Sequence, residues 1–153
     1  MNSARLYDVT LRDGNHALRH TLSSNFVGRY CKEAEKSGVW AVEVGHGNGL
    51  GASSHLVGKS AESDFDLLTA ARDALKETKL AVHSIPGFAT IKRDLVPAIS
   101  IGVDVFRVAD DVVQWRSQLR RNRRQKIFLQ TQVQRFTLGA AHSATPNLPP
   151  AKL

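Results

Sequence analysis

The chain has 153 residues, 42% of them hydrophobic, and a formal net charge of +7. That composition excludes an intrinsically disordered class, and the length suits one domain with a real core. No apolar run approaches the roughly 20 residues that a membrane-spanning helix needs.

Residues 5–10 (RLYDVT) predict a short strand, and a strand so early leaves no room for a signal peptide. The stretch "LRDGNHALRH" follows, crowding its polar groups at the end of that strand. Ser23 or Ser24 is placed to cap a helix to about Ser37, with Phe26, Val27, Tyr30, Cys31 and Ala34 on one face. Cys31 is the single cysteine, so no internal disulfide can form, and a reducing compartment such as the cytoplasm is expected. Gly38 ends the helix as a residue tolerating positive φ should. Residues 40–45 (WAVEVG) predict a second strand, and residues 46–62 a Gly/Ser-rich loop.

Asp64 is placed to cap a second helix lined by Leu67, Leu68, Ala71 and Leu75. Residues 79–84 (KLAVHS) predict a third strand, and Pro86-Gly87 a turn. Thr90 is placed to cap a helix carrying Ile91, Leu95, Ala98 and Ile99, with a kink or a late start near Pro97. Gly102 closes it, and residues 103–108 (VDVFRV) predict a fourth strand. Strands alternating with amphipathic helices imply an α/β fold with a parallel sheet and right-handed crossovers. No G-x-G-x-x-G follows the first strand, so a dinucleotide site is not expected.

After Ala109 the alternation stops. Residues 1–109 carry 13 Lys+Arg against 12 Asp+Glu, whereas residues 110–153 carry 8 against 2. The basicity belongs to the tail, and a nucleic-acid reading would rest on "RSQLRRNRRQK" alone, with Trp115 and Phe128 as stacking platforms. A solvated basic tail is the simpler reading. Residues 112–136 fit a basic helix or a strand pair, and the end, "HSATPNLPPAKL", reads as disordered.

In a parallel α/β sheet the loops after the strands share one face, where active sites sit. The first loop brings Arg12, Asp13, Asn15 and His16 there, the second strand and its exit Glu43, His46 and Asn48, the third His83, and the fourth Arg107. Asp13 is a hard oxygen donor suited to Mg²⁺ or Mn²⁺. Arg12 offers a cationic fork for a carboxylate or an enolate oxygen, and His16 is the residue type that exchanges protons near neutral pH. Gly14 is placed to allow the sharp exit that presents all three.

The bland alternative is a structural Arg12–Asp13 ion pair with His16 as a loop histidine. His46 and His83 fit local hydrogen bonding better than metal binding. Glu43 alternates with Val42 and Val44, so it faces the inner side of the sheet and needs a partner there, Arg12 or Arg107. "GNGLG" is a weak phosphate-cradle signal, because no Lys-Ser/Thr follows it.

"LYDVTLRDGNHALRH", "GVWAVEVGHGNGLGASS" and "HSIPGFATIKRDLVPAISIGVDVFRVA" together resemble the 4-hydroxy-2-oxovalerate aldolases, within the wider group of aldolase, lyase and synthase barrels that carry R-D-G after the first strand. The likeness covers residues 5–109, and His16 rather than Gln at its position points to the hydroxy-oxoacid aldolases. It implies the N-terminal half of a (β/α)₈ barrel, truncated to about four strands, with residues 110–153 as a separate basic tail. It implies Asp13 as a ligand of Mn²⁺ or Mg²⁺ that also helps bind substrate, Arg12 as the residue that binds substrate and stabilises the enolate, and His16 as catalytic base. Glu43 and His46 would stand behind them.

The implied substrate is a 4-hydroxy-2-oxo acid, cleaved to pyruvate and an aldehyde. An acylating acetaldehyde dehydrogenase is the implied protein partner, with no membrane and no nucleic acid. Two features depart from the family. No H-x-H pair occurs in residues 110–153, where His142 stands alone, and the only tyrosines are Tyr7 and Tyr30. A one-nucleotide shift within Val112–Ser117 can spell Cys-Thr-Val-Ala-Glu, close to the family's continuation, so the tail reads as a frameshift or as a divergent terminus. An impaired enzyme or a non-catalytic fragment is the outcome expected from such a truncation.

Overall fold

The computed structural model describes residues 5–108. The expectations for residues 110–153, including the basic segment, the disordered end and His142, lie outside the described residues. Four strands form one sheet, β1 (Tyr7–Asp8), β2 (Ala41–Glu43), β3 (Lys79–Ser84) and β4 (Val105–Val108). Their order is β1-β2-β3-β4 and every pairing is parallel. Sequential order without a reversal is what consecutive barrel units give, and not the switched order of a doubly wound sheet.

The helices are α1 (Thr10–Ala17), α2 (Ser24–Ser37), α3 (Asp64–Ala74) and α4 (Val96–Ile101). Val42, Leu80 and Val82 of the sheet share one core with Val27 and Cys31 of α2, Leu67 and Leu68 of α3, and Ala98 of α4. α2, α3 and α4 therefore cover one face. Glu43, by alternation, points to the other, with Tyr7 and Arg107 bonded to it. Among the described residues no helix is long and apolar enough to cross a membrane.

Four local expectations are corrected. The first strand is only Tyr7–Asp8, and helix begins at Thr10, so the R-D-G stretch is helical and not a loop. Asp8 causes this: its Oδ1 accepts the Thr10 N–H at 2.9 Å and its Oδ2 accepts the Tyr30 hydroxyl at 2.8 Å. Gly14 sits inside α1, and the sharp turn comes later, at Arg19 and His20 with φ of 52° and 61°.

Ser63, not Asp64, caps α3, its Oγ accepting the Asp66 N–H at 3.2 Å. Asp64 is spent on the preceding loop, accepting the His46 N–H at 3.0 Å and the Gly51 N–H at 2.8 Å. Thr90 makes no side-chain cap; its N–H and hydroxyl instead donate to Asp94 at 2.6 and 3.1 Å. A π-helical turn, Ile91–Leu95, precedes α4, and the Thr90 carbonyl accepts both the Asp94 and the Leu95 N–H. Pro97 explains it, because its ring crowds the carbonyl four residues back and it has no N–H to give. The irregularity near Pro97 is thus a widened turn before a late α4.

Candidate active site

Because α1 starts directly after β1, its first turn holds Arg12 and Asp13 at the C-terminal end of the sheet. Glu43 organises them. Its carboxylate is fully buried, and Oε1 accepts from Arg12 Nε and Arg107 Nη2, both at 2.7 Å. Oε2 accepts from Tyr7 Oη and Arg107 Nε, also at 2.7 Å. Four donors fill the four lone-pair sites that a carboxylate offers. The expected partner was Arg12 or Arg107; the structure uses both.

Burial alone would push the Glu43 carboxyl up, but the bonds and charge of Arg107, then Tyr7 and Arg12, hold it below the usual carboxylate range. Burial and the Glu43 charge push the Tyr7 phenol far above its ordinary value. Both groups keep one protonation state across the physiological range.

Arg12 is thereby fixed with its side chain 14% exposed, and its Nη1 donates to Asp13 Oδ1 at 3.0 Å and to the Gly47 carbonyl at 3.3 Å. Asp13 is 65% exposed on its side chain, and His16 is exposed beside it on α1. Asn15 does not join them. It is buried, donating to the Gly45 carbonyl at 3.2 Å and accepting from the Leu22 N–H at 3.4 Å, and so ties α1 to the exit of β2.

His46 is also buried and anchored at both nitrogens. Nδ1 accepts from the Asn48 N–H at 3.0 Å, and Nε2 lies 2.9 Å from the Gly58 carbonyl. A carbonyl only accepts, so the ring proton sits on Nε2. His83 follows the same logic: its Nδ1, 3.0 Å from the Arg107 carbonyl, carries the proton. Burial, then the Arg107 charge, keeps its pKa below the ordinary histidine value.

The phosphate reading of "GNGLG" is overturned. The N–H groups of Gly49, Leu50, Gly51 and Ala52 go to the His46 carbonyl, the His83 carbonyl, Asp64 and the Gly49 carbonyl. No cradle of outward donors is left there.

Sequence reasoning did not single out His20 and Gly47. His20 stacks on His46, with ring centroids 3.7 Å apart and planes 13° from parallel, and His16 lies edge-on to His20 at 5.1 Å. The available signal was the spacing of His16 and His20, four residues apart at the end of a helix. Left-handed backbone at Arg19 and His20 costs about 1–2 kcal/mol each, although histidine is among the residues enriched there.

The described residues do not by themselves make a metal centre. Among them no group of three His, Cys, Asp or Glu side chains could hold an ion. Glu43 has no lone pair to spare and both His46 nitrogens are engaged, which leaves Asp13 as the exposed carboxylate.

A family model described as HMGL-like matches residues 3–136. The chain belongs to the HMGL-like family. It is 57% identical over 104 residues to the 4-hydroxy-2-oxovalerate aldolase of Pectobacterium atrosepticum, a match covering 68% of this chain and 30% of that protein. It is 56% identical over 102 residues to the protein of that name from Spirochaeta aurantia, covering 67% and 30%. The corresponding values for 4-hydroxy-2-oxovalerate aldolase 2 of Salinispora arenicola are 53% over 104 residues, 68% and 30%. The matched segment spans about 30% of the length of these relatives.

Proposed function

We propose that residues 5–108 are the N-terminal part of the catalytic barrel of an aldolase that cleaves 4-hydroxy-2-oxo acids, 4-hydroxy-2-oxovalerate among them. One observation carries the reading. Arg12 is locked by Glu43 at the end of the sheet, beside an exposed Asp13 and His16, in a segment 57% identical to a protein of that name. His16 takes the proton of the 4-hydroxyl. The C3–C4 bond breaks, the hydroxyl carbon becomes the aldehyde, and the electron pair leaves as pyruvate enolate. Arg12 stabilises the enolate oxygen, and a proton added at C3 gives pyruvate.

Asp13 contributes one ligand to a divalent cation, Mn²⁺ or Mg²⁺, whose other ligands lie outside residues 5–108. One carboxylate does not by itself make a metal site. The barrel part ends near residue 109, the protein works in the reducing cytoplasm, and an acylating aldehyde dehydrogenase is its expected partner.

The test is a chimera in which residues 5–108 replace the matching segment of the Pectobacterium atrosepticum relative. It should release pyruvate from 4-hydroxy-2-oxovalerate with Mn²⁺. His16→Ala should slow it roughly 10²–10⁴-fold, and Arg12→Lys should fail to replace the planar fork. A folded chimera inactive on every 4-hydroxy-2-oxo acid tried would overturn the reading. The 153-residue chain alone should show little turnover, since its described residues supply a single ligand.

A further inference from the structure

Gly47 lies where three site residues meet. Arg12 Nη1 donates to its carbonyl at 3.3 Å, and its N–H donates to His20 Nδ1 over a long 3.5 Å. A Cβ built on Gly47 would stand 2.5 Å from His16 Cδ2 and Nε2, so the imidazole of His16 lies directly on this peptide. The Gly47 φ is not in the left-handed region, so the absence of a side chain there answers to the ring and not to the backbone.

His20 meets the same peptide through this N–H bond and is itself held. Its ring is stacked on His46, which Asn48 and Gly58 anchor, and a Cβ on Gly58 would meet His20 Cδ2 at 2.5 Å. The left-handed residues at the end of α1 turn His20 back under His16.

We propose that the stacked His20–His46 pair, acting through the Gly47 peptide, is a positioning device that fixes the ring of His16. Both rings are buried, His46 fully and His20 nearly so, whereas His16 is exposed. His20 needs its Nδ1 lone pair to hold the Gly47 N–H, and a doubly protonated ring has none. The titratable groups acting on it are His46 and His16; burial first, then these two, keep its pKa below the ordinary histidine value, against the opposing bond to Val57. For a histidine so depressed, the contribution to stability is complete above its unfolded pKa and is lost as pH falls through that value towards the folded one. Protonation of His20 therefore releases the Gly47 N–H, and with it the ring of His16. The catalytic consequence rests on the aldolase reading, but the positioning itself does not.

Long-range ¹H–¹⁵N spectra of the ¹⁵N-histidine-labelled 153-residue chain, from about pH 5 to about pH 8, test it. In the wild-type chain the ring signals of His16 should move at the pH where His20 titrates. Gly47→Ala should displace the His16 ring signals while those of His46 stay in place, with the Tm lowered by less than about 8 °C. His20→Asn, which keeps a residue tolerant of left-handed backbone, should move the signals of both His16 and His46. Ring signals of His16 that are unchanged in folded Gly47→Ala overturn the proposal. If neither variant folds, wild-type ring signals of His16 that do not move at the His20 midpoint overturn it.

In the chimera, Gly47→Ala should lower kcat by about 10²-fold, the scale of a misplacement near 1 Å, with KM little changed. A chimera indifferent to His16→Ala removes the base role of His16 and leaves the positioning to be judged by the spectra.

Discussion

Glu43→Gln is the most informative single change in this fold. The side chain keeps its shape but loses its charge, and one amide oxygen replaces two carboxylate oxygens. At most two of the four 2.7 Å bonds from Arg12, Arg107 and Tyr7 can persist, and the new NH₂ group must face at least one of those donors. Each arginine pair is worth about 4 kcal/mol of attraction at 4 Å and an effective dielectric constant of 20. Most of that is offset by the desolvation that a neutral amide avoids. Breaking a buried pair by removing one partner costs about 3–5 kcal/mol. Arg12 and Arg107 are 14% and 26% exposed on their side chains, so water can partly screen what is left. The lower end, about 3 kcal/mol, is therefore expected, or roughly 12–24 °C in Tm for a unit of this size.

The acid limb supplies the control. A folded carboxylate held below its ordinary value stabilises fully above the unfolded pKa, near 4.5, and the contribution is lost as pH falls through the folded one. Melts followed by circular dichroism should show the two proteins far apart at neutral pH and converging in acid. Tyr7→Phe, which removes one bond and no charge, should cost less. A Glu43→Gln protein within about 1 kcal/mol of wild type at neutral pH would refute the reasoning.

Other perturbations give smaller effects. Glu35, on α2, accepts the N–H groups of Glu77 and Thr78 at 2.8 and 3.1 Å, and these bonds, that of Glu77 foremost, pull its pKa down to about 2. Glu35→Gln should flatten the part of the stability–pH curve that falls between the ordinary glutamate value and about 2, as read by urea titrations. The Cys31 thiol, fully buried, is pushed up to about 12 by burial and then by Asp8. Iodoacetamide should leave it untouched in the native chain and label it in urea, and rapid native labelling would contradict its packing. Asp64→Asn leaves one oxygen for two N–H donors, those of His46 and Gly51, and should cost about 1–3 kcal/mol in chemical denaturation, with amide exchange rising first in residues 46–51.

The parts legible in the sequence are those where local pattern and tertiary need coincide. Val27, Cys31 and Ala34 fall on one face of α2, and Val42 alternates with Glu43 in β2, so periodicity placed both elements. Glu43 was legible as a group needing a partner because a carboxylate on that inner face cannot stand alone. That it takes two arginines and a tyrosine depended on strand register, which no local pattern states. α1 was not legible. "TLRDGNHA" is poor in helix formers, and what supports it as a helix is Asp8 accepting the Thr10 N–H ahead of it and Asn15 bonding Gly45 and Leu22. At α3, Ser63 and Asp64 are both capping types, and the choice was made by the 46–51 loop, which needed an acceptor for two N–H groups. Gly47 carried a signal only for a phosphate cradle and none for its place against His16, since the ring that forbids it a side chain lies 31 residues earlier in the chain.

Distance along the chain also decides how the candidate site holds its geometry. Arg12 is on α1, Glu43 on β2 and Arg107 on β4, and the three meet at one carboxylate. Without Arg107, Glu43 keeps only Arg12 and Tyr7, and half of its lone pairs lie buried without donors. Such a carboxylate would be expected to turn towards new donors or to take up a proton, and either would loosen Arg12 Nε and with it the Nη1 contacts to Asp13 and Gly47. The R-D-G stretch is therefore not a motif that works where it stands. Its arginine is aimed by a residue of β4, so any change that frays β4 should be read at Arg12 before the core of α2 and α3 loosens.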